Sequence, residues 1–131
     1  EAGSVASDFE FLPVDVNLRR CQRYYLRWQG DTGDQRAIAN GMTVETNQSR
    51  IVVVYPVTLR GSPTVTEAAL ETLDSSKDVQ AASLNATVDA GINAVNVQMN
   101  ADSGTPYTQH RPQSLRTSNS TSAFLALDAE L

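Results

Sequence analysis

Residues 50–60 read RIVVVYPVTLR, and this run does most to limit what the chain can become. Ile51, Val53, Tyr55, Val57 and Leu59 recur at every second position, the period of a strand rather than a helix. Val52 and Val54 put further apolar side chains on the opposite face. β-Branched residues favour a pleated, packed surface. Pro56 has no N–H to give to a ladder, so it marks an edge or a bulge. A chain built around such a segment needs other strands to pair with it.

Short candidates surround it. Tyr24, Leu26 and Trp28 alternate to one face of residues 23–29, the side expected to meet the core, with Arg23, Tyr25 and Arg27 on the other. Gly30 to Gly33 makes a turn. Strands are expected over 36–45, 64–67, 79–85, 94–99 and 122–131, and Gly91 turns the chain between the two that flank 89–93. Residues 68–73, AALETL, have helix propensity but sit among strands. Residues 100–120 are polar, with two prolines, and read as a long loop or irregular strand.

One helix is expected, over 14–22 (VDVNLRRCQ). Asp15 and Asn17 are its candidate caps, and Leu18 and Cys21 form a small apolar stripe at i and i+3. Strands spaced by turn residues, without βαβ alternation, suggest an antiparallel sandwich or barrel-like fold. The expected class is all-β: an antiparallel, jelly-roll-like β-sandwich with one short N-terminal helix. Residues 1–13, EAGSVASDFEFLP, read as a leader, with Phe9 and Phe11 on one face of a short strand, ahead of a domain over 14–131.

Composition narrows the functional classes. At 131 residues the chain fits one domain that can bury a core without disulfides or metals. With 40% hydrophobic and 19% charged residues it is globular rather than disordered. The net charge of −5 disfavours nucleic acid, which needs a basic face. No apolar run approaches the length of a membrane span, so no membrane insertion is expected. A single cysteine, Cys21, excludes an internal disulfide and reads as a buried small hydrophobe rather than a reactive thiol. A first residue of Glu suggests processing or membership of a longer protein.

Motifs for chemistry are sparse. His110 is the sole histidine, and there is no nucleophile elbow, phosphate loop or dinucleotide fingerprint. A Cys21–His110 pair is the one formal nucleophile–base combination, but Cys21 lies on the apolar stripe. Two potential Cys or His ligands fall short of a zinc site. Asp31 and Asp34 come nearest to calcium ligands, in a spacing that fits a solvated turn better. Nothing pairs two carboxylates for glycoside hydrolysis. The expectation is a non-enzymatic chain with no cofactor and no metal.

Aromatic and arginine chemistry remains. Tyr107, His110 and Arg111 share the polar loop, and loops carry function more often than core strands do. Together with Trp28 they are the candidate ligand-binding residues, a sugar being the ligand that an aromatic platform suits; the core reading is the favoured one for Trp28, because it alternates with Leu26. Nine arginines against the single Lys77 hint at interfaces or at a compositional bias. Arg19, Arg20, Arg23 and Arg27 form a basic run that is either a solvated face or a dock for another subunit's acidic residues.

Three stretches carry a resemblance. EAGSVASDFEF (1–11), LRRCQRYY (18–25) and YPVTLRGSPTVT (55–66) together resemble, in order, a segment of bacteriophage tail-fibre and related virion proteins. There a carbohydrate-binding-like β-sandwich ends in a strand and a short helix opens a further C-terminal domain. The matched stretches cover about a quarter of the chain. LPVDVNLRR departs from the more usual acidic and apolar helix start and brings in Arg19 and Arg20. The resemblance implies a virion protein with a terminal β-sandwich, usually a homotrimer in contact with other virion proteins, that recognises a host-surface glycan and trimerises the fibre. It equally allows a purely structural module: a baseplate, fibre-cap or head-decoration protein. A polysaccharide-degrading domain is a more distant third reading. The resemblance assigns no receptor-contacting residue.

Overall fold

The computed structural model describes residues 12–74, 79–102 and 107–130. The expected leader strand, with Phe9 and Phe11, lies outside the described residues.

The helix forms where its spacing puts it, α1 at Val14–Gln22. Neither expected cap serves. Pro13 takes the N-cap position, and its carbonyl accepts the N–H groups of Val16 and Asn17 at 3.0 and 3.1 Å. Asn17 instead sends its side-chain amide to the Leu12 carbonyl, 3.3 Å away. The expected stripe is not covered: no residue of α1 is buried, Leu18 is 55% exposed, and Cys21 is exposed rather than buried.

Among the described residues nine strands follow: β1 (Tyr25–Gln29), β2 (Ala37–Thr43), β3 (Gln48–Val54), β4 (Thr64–Ala68), β5 (Leu70–Asp74), β6 (Val79–Ala90), β7 (Ala94–Ala101), β8 (Pro112–Thr117) and β9 (Phe124–Asp128). Among the described residues the fold is mostly β, every strand pairing is antiparallel, and there is one short helix. Six strands close into a barrel in the order β2-β3-β7-β6-β5-β8. The other three form a sheet, β1-β9-β4, with β9 at its centre.

Inside the barrel the period-2 pattern holds. Ile51, Val53, Val95, Val97, Met99 and Leu115 are fully buried, while Val52 and Val54 face outward. Leu26 of β1 and Leu125 and Leu127 of β9 join the same core, so the sheet and the barrel share one apolar interior. β3 is shorter than the RIVVVYPVTLR run. It stops at Val54, ahead of Pro56. Tyr55 and Leu59 stay buried, held to the β6–β7 turn by their N–H groups on Asn93 and Ile92 carbonyls at 3.0 and 2.8 Å.

One further expectation changes, and two open readings are decided. β1 starts at Tyr25, so Tyr24 falls in the preceding turn and is exposed, not core. Residues 68–73 form no helix: β4 ends at Ala68, Ala69 takes φ +50°, and β5 begins at Leu70. That single left-handed residue moves the chain from the sheet to the barrel. The polar stretch 100–120 holds a barrel strand, β8, between β2 and β5. Gly41 has a packing reason: a Cβ there would stand 2.0 Å from the Arg50 carbonyl oxygen, so β2 approaches β3 this closely only with glycine.

Candidate functional site

The expected site residues do not gather in one place. Tyr107 is core. It is 4% exposed, its N–H donates to the Thr46 carbonyl at 2.9 Å, and its hydroxyl shares a hydrogen bond with Thr72 inside the barrel. Burial pushes its phenol above the ordinary tyrosine range, with the Thr72 bond opposing. Trp28 is partly buried and packs on the core, opposite Leu125 of β9. Neither ring forms an open platform.

His110 and Arg111 do reach the surface. Their loop is pinned by one buried side chain, Thr43, at the end of β2. The Thr43 hydroxyl donates to the Thr108 carbonyl at 2.6 Å and accepts the Arg111 N–H at 2.9 Å. The Thr43 N–H donates to the Arg111 carbonyl, and the His110 N–H to the Thr43 carbonyl, both at 2.9 Å. This clamp holds His110 at φ +61°, a region that non-glycine residues seldom occupy and that a surrounding network must enforce.

So placed, His110 lines one rim of a groove of about 630 Å³ on the outside of the barrel. Met42, Arg50, Val52, Asn96 and Pro112 line it too. Met42 and Val52 are about half exposed, at 47% and 49%. The Asn96 side-chain oxygen is buried with no hydrogen-bond partner among the described residues. Of the groove residues, His110 is the one among the expected site residues. The usable signal was the second apolar face of 50–60, since Val52 lies outside the core and still is not polar.

The basic run is only partly brought together. Arg19, Arg20 and Arg23 share a cleft of about 350 Å³ with Val16, Val57 and Thr58, between α1 and the loop after β3. An Arg60 N–H to Arg23 carbonyl bond of 2.8 Å ties that loop to the end of the helix. Arg27 is elsewhere, stacked over the Phe124 ring at 4.2 Å from its centre.

The remaining candidates stay local. Asp31 and Asp34 pair across their turn, where Gly33 supplies φ +84°, and Asp34 engages Arg36 at 3.1 Å. Among the described residues no three His, Cys, Asp or Glu side chains gather as metal ligands, and no helix is long and apolar enough to cross a membrane. No known family model matches the chain, and neither the curated proteins nor the solved structures hold a match to it.

Proposed function

We propose that the chain is a non-catalytic module of a tail fibre or other appendage of a phage-type virion, that it holds three copies together, and that it contacts a host-surface glycan. One observation carries the assembly part: α1 has no buried residue although it bears an apolar line. Val14 is 84% exposed and Leu18 55%, and Cys21 continues the same face. A nine-residue helix has little stability by itself in water. A second copy packed on this face would cover the apolar line and stabilise the helix. Arg19, Arg20 and Arg23 beside it suit an acidic patch on a neighbour, on a chain whose net charge is −5.

The likeness of residues 1–11, 18–25 and 55–66 to fibre proteins supplies the trimer, the virion and the other virion proteins as partners. The same reading takes the barrel and the three-stranded sheet, which share one core, as the two layers of a jelly-roll-like sandwich. The purely structural reading has its own support. Tyr107 is buried and Trp28 packs on the core, so the aromatic residues expected to meet a sugar are otherwise engaged.

Two measurements, one on the purified protein and one on the particle, separate these readings. Purified protein that binds host cells saturably, and competes with virions for them, supports recognition. Protein that binds no host cell, from a virus whose particles fail to assemble when the module is deleted, supports the structural module.

A further inference from the structure

The outer groove has an ordered chemical layout. Across β8, β2, β3 and β7 the register sets Pro112, Met42, Arg50 and Gln98 side by side, and Ser114, Asn40, Val52 and Asn96 in the next row. Arg50 has no ion pair or hydrogen bond to its side chain among the described residues. Its guanidinium offers two parallel donors, the geometry that suits a carboxylate. His110 stands at the same end, aimed by the Thr43 clamp. Met42, Val52 and Pro112 give an apolar floor. Asn96, whose side-chain oxygen has no partner among the described residues, lines the groove as well, and two further amides flank it by register: Asn40 beside Val52, taking the Ser114 hydroxyl at 2.7 Å, and Gln98 beside Arg50, donating to Gln48 at 2.7 Å. Asp89, exposed and in register with Asn96, is the next position along that row, outside the groove lining.

We propose that this groove binds an acidic saccharide, a pyranose bearing a carboxylate. The apolar floor packs on the C–H face of the ring. The amides, which donate and accept, match vicinal hydroxyls. The carboxylate lies at the Arg50–His110 end, because Arg50 is the cationic side chain lining the groove. A volume of about 630 Å³ is in the range of small-ligand sites. A neutral sugar would leave Arg50 unused, and a plain fatty chain would leave the amides unused. The proposal rests on the reading of the chain as a surface-recognition module for the origin of the sugar, but not for its chemistry.

The test is calorimetric titration of the whole protein with sialyllactose and with trigalacturonic acid, against lactose and maltotriose as neutral counterparts. At least one acid is expected to bind, about tenfold or more tighter than its neutral counterpart. Which of the two binds distinguishes a sialate from a hexuronate. Arg50→Ala is expected to lose that preference, and Val52→Asp to lose binding altogether, with unfolding temperatures unchanged because both side chains are exposed. No binding of either acid overturns the site, as does equal binding of acid and neutral sugar, or undiminished binding by Arg50→Ala. Host-cell binding measured in parallel separates the two proposals. If wild-type protein and Arg50→Ala bind cells equally well, this site fails while recognition stands.

Discussion

Tyr55 and Tyr107 bury similar rings in one body, but their hydroxyls fare differently. The Tyr107 hydroxyl is bonded to Thr72, whereas the Tyr55 hydroxyl is buried with no partner among the described residues. An unpartnered buried hydroxyl has lost its water and gained nothing in return. Tyr55→Phe is therefore expected to leave stability unchanged or raise it by up to about 1 kcal/mol, and Tyr107→Phe to lower it by about 1 kcal/mol, both read from urea unfolding. The same burial makes stability depend on alkaline pH. The Tyr55 phenol is pushed up from 10.0 to about 12 by desolvation. Between those values the unfolded chain gives up this proton and the folded chain keeps it, so the contribution is whole below the lower value and lost as pH rises to the upper. Unfolding free energy is expected to fall over that window, and to fall less steeply in Tyr55→Phe. Equal slopes in the two proteins would contradict the assignment.

Among the elements, the β4–β5 junction holds an instructive strain. Ala69 sits at φ +50° between two strands of different sheets, and its carbonyl accepts the Ser118 N–H at 3.1 Å. L-Residues other than glycine resist this conformation. Ala69→Gly is expected to gain up to about 1 kcal/mol in thermal or chemical unfolding; a loss would mean that the Ala69 methyl packs usefully. This junction also shows what the sequence made legible. AALETL has the propensity of a helix, and nothing local marks a one-residue change of sheet. β8 was hidden for another reason: its inward residues are Gln113, Leu115 and Thr117, so two of three look polar although all are buried. Apolar alternation finds a strand only where the interior is apolar, as it is for β3 and β7. The helix was readable to the residue, because Leu18 and Cys21 mark its period. Its burial was not, because periodicity tells which face is apolar and not what covers it. The groove was half readable, through His110 and through Val52 on a second apolar face. Arg50, Met42 and Asn96 join them only through strand register, which one sequence does not give.

At the scale of the molecule, the core and the surface carry separate duties. The barrel and its accompanying sheet enclose one apolar interior. The helix and the basic cleft stand outside it. No helix side chain is fully buried in a single copy, so replacing the exposed ones should leave its stability nearly unchanged. If instead they join copies, Arg20→Glu together with Arg23→Glu puts like charges against the acidic neighbour and should break the assembly while the barrel stays folded. Sedimentation equilibrium of the wild-type protein at micromolar concentration tests this account most directly. It predicts a particle of three chains, reduced to a single chain in the double charge reversal at an unchanged strand content by circular dichroism. A wild-type mass of one chain, or a trimer indifferent to the reversal, would contradict it.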